Sequence, residues 1–464
     1  MSSNYSLQTP REWSQQQFGF ASLGHLRRTQ RLMNIGEKLA ASPGGTLPQA
    51  FPQWSELKAA YRFFSNPKVG FEPITAPHYQ LTRNRCCEPG EYLFLEDTTE
   101  LNYTHHPATE DLGSVGDNQG RGFWLHSTLA IQVEQWDLDQ RPEGLAVGLL
   151  GQQLWRRPHR SRGRRHTEGW RERLTRQRES QRWAAVLEEL TVPPKGCHWT
   201  YIADREADFY EPIERCVRRG LDFVIRAYRD RKLADQPAHL KEAVARAPVL
   251  GQLEIELRSR PGQPARTAVV EVRACALTVQ GPWRPGGERP DLALKVVQVL
   301  EMSPPEGTEP LHWILLTSLD CNTWNQVRRV VGRYCVRWWI EEYHKALKTG
   351  TGVEESQLER AHRLESLLGV MAVLAVRLVN AKWLARARPE EPVDPQVFGT
   401  VLLKLLAQRF GKPKEGWTHQ NTLVCVARVG GFLARKGDGM PGWQTIWRGW
   451  QRLMWMAEGV ALLK

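Results

Sequence analysis

Cysteine is sparse and unpatterned in this 464-residue chain. Its eight cysteines (Cys86, Cys87, Cys197, Cys216, Cys275, Cys321, Cys335 and Cys425) show no C-x-x-C spacing. That argues against a disulfide framework and a cysteine-based zinc site, and for a reducing compartment. The pairs His105–His106 and His159/His166 have no cysteine or acid at metal-ligand spacing, so zinc is not expected there either. No GxxxxGK[ST] loop is present, which excludes the usual nucleotide-phosphate cradle. The N-terminal string MSSNYSLQTPREWSQQQ lacks an apolar core and does not read as a signal peptide. The longest apolar run, Leu367–Val376, stops at Arg377 and is too short to span a bilayer. The expectation is a soluble, cytoplasmic protein with no membrane partner.

What the chain has in excess is positive charge. Lys plus Arg total 63 against 51 acids, a net charge of +12. A surplus of this kind favours a polyanionic partner, most simply nucleic acid. Residues 156–182 alone carry eleven arginines. This tract reads as an arm for flanking or target DNA, although blocks of like charge are often merely solvated. The 19 tryptophans are numerous, and most are expected in core positions. Trp443, Trp447 and Trp450, at i, i+4 and i+7, fit a packed or dimer-forming stripe better than a stacking platform.

Three regions separate by texture. Residues 1–75 show helical spacing, and in the string LRRTQR the basic residues Arg27, Arg28 and Arg31 lie along one helix as candidates for DNA recognition. Residues 76–387 read as mixed α/β, with a strand-rich run at about 222–312. After the linker-like RPEEPVDP, residues 388–464 turn helical again.

Two acids follow apolar runs directly: Asp97 after YLFL and Asp204 after TYIA. Ligand-binding groups of open α/β sheets gather at such strand ends. Neighbouring strands would bring the two carboxylates together, and a divalent cation is the natural neutraliser. Mg²⁺ suits hard oxygen ligands and phosphate substrates. Glu96, Glu100, Glu206 and Asp208 stand close by, so pattern alone does not fix which acids serve.

In YCVRWWIEEYHKALKTG, a helix of about 100° per residue puts Tyr334, Arg337, Glu341 and Lys348 in one narrow stripe. Ile340, Tyr343 and Leu347 fall on the opposite side. Glu341 offers a third oxygen ligand, while Arg337 and Lys348 offer phosphate contacts.

These residues resemble the DDE motif and the Y-(2)-R-(3)-E-(6)-K signature of the insertion-sequence-four family of bacterial DDE transposases, with spacing that agrees residue for residue. The strings ASLGHLRRTQRL, AAYRFFSNP, RGFWLHS and HWILLTS also look like the family, so the resemblance spans roughly residues 10–385. It implies an RNase H-like mixed sheet flanked by helices, with a β-rich insertion and with N-terminal and C-terminal helical domains. It implies two Mg²⁺ ions, replaceable by Mn²⁺, held by Asp97, Asp204 and Glu341. It further implies cut-and-paste transposition through a DNA hairpin, by a homodimer bound to double-stranded transposon ends and target DNA. Trp313 matches the family's flipped-base pocket, and Arg226 an arginine near the active site. A transposase-derived regulator that binds ends without cutting, and a nuclease without strand transfer, are the rival expectations.

Overall fold

YLFL and TYIA are buried on both faces, which is why they read as continuous rather than alternating apolar runs. The computed structural model describes residues 8–137, 141–158, 179–258 and 264–462. The first strands are β1 (Gly90–Asn102), β2 (Gly113–Val115), β3 (Gly120–Asp137) and β4 (Arg141–Trp155). There follow β5 (Cys197–Ala203), β6 (Asp222–Arg226), β7 (Val249–Leu257) and β8 (Arg266–Val279). A two-stranded ribbon of β9 (Trp283–Arg284) and β10 (Gly287–Glu288) precedes β11 (Leu292–Glu301) and β12 (His312–Thr317).

All but the ribbon join one mixed sheet in the order β2-β3-β1-β5-β6-β12-β11-β8-β7, with β4 also paired to β3. β1, β5 and β6 are parallel, and the other pairings are antiparallel. The strand-rich run at 222–312 supplies β6, β7, β8 and β11, which extend this same sheet edge to edge.

Leu93, Leu95, Ile202, Val224 and Leu315 face one core, shared with the helices Trp324–Cys335, Trp338–Lys345 and Ala361–Ala387 and with the N-terminal helices. Tyr92, Phe94, Tyr201, Phe223 and Leu316 face the other, closed by the helix Tyr210–Arg219 and by residues 183–190. The apolar run that stops at Arg377 belongs to a long helix. Its helix, Ala361–Ala387, has the length and composition to cross a membrane, yet most of it is buried inside the protein. A helix apolar on nearly every side is what the centre of a large fold demands.

The last three long helices, Thr400–Phe410, His419–Val429 and Trp443–Leu462, form a separate small core. Gly430 and Gly449 allow the latter two to touch: a Cβ on Gly449 would lie 1.7 Å from the Val426 carbonyl oxygen. Trp443 and Trp447 are buried, as the packed-stripe expectation has it.

Candidate active site

Pairing between β1 and β5 runs from Gly90↔Cys197 to Glu96↔Ala203 and stops there. The next residues on the two strands are Asp97 and Asp204. Asp97 is not at a strand end, contrary to the sequence expectation: β1 continues to Asn102 because β3 remains its antiparallel partner, with Asp97 opposite Ser127. The carboxylates meet where the parallel pairing opens. Asp204 caps the turn Arg205–Ala207, its Oδ1 accepting from the Glu206 N–H at 2.7 Å. Asp97 Oδ1 accepts from the Thr98 N–H at 2.8 Å.

The stripe from Tyr334 to Lys348 is not carried by one helix. The helix Trp324–Cys335 ends at Val336, and a new one, Trp338–Lys345, begins after Arg337. A π-helical turn, Ala346–Gly350, follows and carries Lys348; such turns often mark functional sites. Nor is the stripe an open face. Tyr334 is 4% exposed, and the side chains of Arg337 and Glu341 are 15% and 27% exposed. Ile340, Tyr343 and Leu347 form the buried back, as expected.

Arg337 bridges the carboxylates. It donates to Glu341 Oε1 at 2.5 Å and lies 3.7 Å from Asp97 Oδ2. Burial raises the Asp97 carboxyl, Arg337 pulls it back, Asp204 and Glu341 push it up, and the outcome is about 7. Three acids thus act on one another with a single guanidinium between two of them. The sheet brings in the rest. Arg226, at the end of β6, donates to the His312 carbonyl at 3.2 Å and, with Arg337, acts electrostatically on the Tyr334 phenol, which burial pushes upward. Trp313, half-buried on β12, meets the Tyr334 ring edge-on, with centroids 4.9 Å apart. Lys348 is felt by the buried His344, whose imidazole is driven down to about 3 by burial first and then by Lys348, His126 and Arg337.

Other expected residues lie elsewhere. Arg27, Arg28 and Arg31 sit on the helix Leu26–Ala41. Arg27 is exposed, whereas Arg28 Nη1 donates to the Leu23 carbonyl at 2.7 Å. Of the arginine-rich tract, 159–178 falls outside the described residues. Its flanks are held: Arg157 stacks over Trp124 at 3.6 Å and Arg182 over Trp155 at 4.1 Å.

The neighbouring acids divide by role. Glu100 accepts from the Gly116 N–H at 2.7 Å. Asp208 is fully buried and accepts from the Tyr228 and Arg229 N–H groups, both at 2.6 Å, fixing the loop after Arg226. Glu206 is raised by burial and by Asp204. Glu96 points to the opposite face, among Thr128, Tyr201 and the Ala184 N–H. Sequence reasoning passed over Glu342, Thr98 and His126, whose partners stand far away in the chain. The period-2 alternation of β1 was the one signal that put Glu96 and Thr98 on the face away from Asp97.

Among the described residues, no three His, Cys, Asp or Glu side chains form a ready-made metal cage. The donor chemistry nevertheless suits a hard divalent cation: carboxylate oxygens that are short of positive charge. Arg337 is the positive charge that faces Asp97 and Glu341.

Comparison with known proteins bears on the two ends of the chain. Residues 10–69 match the family model described as Transposase DNA-binding. Residues 399–464 match the one described as Transposase Tn5 dimerisation domain. Together they support a Tn5-like transposase. A solved structure of the piggyBac transposase synaptic complex with hairpin DNA is also similar, at 9% identity and a TM-score of 0.30. The overlap covers 72% of this chain and 57% of that one. A likeness that loose fixes neither fold nor function.

Proposed function

We propose that this chain is a metal-dependent DDE transposase of the insertion-sequence-four family, built on an RNase H-like sheet, that excises its element through a hairpin and joins it to target DNA. The observation that carries the reading is the meeting of Asp97 and Asp204 where the β1–β5 pairing ends, with Glu341 tied to Asp97 through Arg337. The matched DNA-binding and dimerisation segments support the reading, because such chemistry needs a hold on DNA and a second subunit.

Asp97, Asp204 and Glu341 would hold the divalent ions. Bound there, two such ions would supply activation of an attacking oxygen and stabilisation of the leaving one. Arg337 and Lys348 bind phosphate, Arg337 exchanging its carboxylate partners for phosphate oxygens as DNA enters. Trp313, beside Tyr334 and Arg226, offers a face on which an extruded base can stack, offsetting the few kcal/mol that unstacking costs. Each joining step exchanges one phosphodiester for another, so no nucleotide fuel is required.

The test is a cleavage assay with Mg²⁺ or Mn²⁺ and labelled duplexes carrying the inverted repeats that flank the gene, resolved on a denaturing gel. Metal-dependent nicks, hairpins and joined products are expected. Tight binding of ends without any cut would identify a regulator instead, and cuts without joined products a nuclease.

A further inference from the structure

Behind Asp97, on the other face of the sheet, lies a polar cluster that the proposed chemistry does not use. Thr98 and Glu96 of β1 and His126 of β3 share that face. His126 is 1% exposed. Its Nδ1 lies 2.7 Å from Thr98 Oγ1, and its Nε2 lies 3.1 Å from Glu96 Oε1, though not squarely aimed at it. Glu96 is itself completely buried and is anchored by the Thr128 hydroxyl at 3.0 Å, the Ala184 N–H at 2.9 Å and the Tyr201 hydroxyl. The Trp183 ring meets the imidazole edge-on, at 4.7 Å between centroids.

The direction of the contacts follows from the acceptors. A carboxylate beside Nε2 favours the proton on that nitrogen, which leaves Nδ1 as an acceptor. Thr98 Oγ1 must then donate to His126. That locks the Thr98 side chain on the back of the sheet while its N–H, on the same residue, is held against Asp97 Oδ1. Asp97 Oδ2 is the oxygen left facing Arg337.

We propose that Thr98 and His126, seated on Glu96, are positioning residues that fix which oxygen of Asp97 faces the divalent ion. The inference rests on the transposase reading, because it needs Asp97 to be a metal ligand. Groups that orient a metal ligand from behind typically contribute about 10- to 100-fold in metal affinity.

The experiment compares the full-length wild type with Thr98→Val, Thr98→Ser and His126→Gln. Valine keeps the shape of threonine and loses the hydroxyl, whereas serine keeps the hydroxyl. Mn²⁺ binding is read by the loss of the free-ion paramagnetic resonance signal, alongside melting temperature and end-duplex affinity without metal. Thr98→Val and His126→Gln should weaken Mn²⁺ binding about tenfold, with melting temperature and metal-free DNA affinity near wild type. Thr98→Ser should restore the ion's affinity. Equal Mn²⁺ affinity in wild type and Thr98→Val overturns the proposal, and so does a serine variant as weak as the valine one. If Thr98→Val does not fold, His126→Gln against wild type decides by the same criterion. A wild type that neither binds Mn²⁺ nor cuts DNA removes the transposase reading itself, and this inference with it.

Discussion

Glu341 and Glu342 are adjacent on one helix and have opposite surroundings. Glu341 shares one guanidinium with Asp97 and has a partly exposed side chain. Glu342 points the other way, 4% exposed. It accepts from Lys382 at 2.6 Å, Arg258 at 2.7 Å and the Trp443 indole N–H at 2.7 Å. Burial alone would raise its carboxyl, but Lys382 and Arg258 outweigh that and bring it down to about 2. The structural carboxylate is saturated, and its donors come from β7's end, the long helix and the C-terminal helix. Asp97, by contrast, is under-compensated: burial raises its carboxyl further than Arg337 pulls it back, to about 7. A carboxylate short of partners is the one prepared to take a cation.

The sharpest way to break this contrast is to neutralise each glutamate. Glu341→Gln should lower the cleavage rate by about a thousandfold, the scale for losing a preorganised electrostatic group, while leaving the unfolding midpoint nearly unchanged. Glu342→Ala should act in reverse. It strands Lys382 in the interior, so chemical denaturation should show a loss of about 3–5 kcal/mol. The double replacement Glu342→Met with Lys382→Met should recover much of that loss.

The pH dependence should separate the two acids in sign. Glu342 is depressed by folding, so its contribution is complete above the ordinary value of 4.5 and is lost as pH falls toward 2. Asp97 is raised, so folding favours its protonated form. Its contribution is whole below 3.8 and is lost as pH rises through about 7 in metal-free protein. Across that window the slope is at most about 1.4 kcal/mol per pH unit. Denaturation of wild type and Asp97→Asn between pH 4 and 8 checks this: the variant should lack the decline.

The smallest effect concerns the N-terminal helix. Arg27→Ala should reduce the slope of log affinity against log salt for end DNA by about one. Arg28→Ala should instead cost about 1 kcal/mol of stability through the lost bond to Leu23.

These contrasts also mark where sequence reading stops. YLFL and TYIA announced two buried strands, because burial on both faces leaves a continuous apolar run. The meeting of Asp97 and Asp204 was legible for the same reason. That β1 runs on past Asp97 was not, since only its pairing with β3 decides it, and Thr98, Thr99 and Glu100 look like a turn. The break at Val336–Arg337 carries no Gly or Pro to announce it, so the stripe read as one helix. Helical spacing picked out Glu341, but nothing local gave Glu342 its structural part: its partners Lys382 and Trp443 lie 40 and 101 residues away. Thr98 was hidden likewise, because its partner His126 is set by strand register.

One measurement bears most directly on the division of labour between the two glutamates: single-turnover cleavage of end duplexes in Mg²⁺ by Glu341→Gln and Glu342→Gln side by side, at a temperature where both are folded. Loss of cutting in Glu341→Gln, with DNA binding retained and substantial cutting by Glu342→Gln, is the expected result. Equal cutting by Glu341→Gln and wild type would contradict it, and would place the chemistry away from Asp97, Asp204 and Glu341.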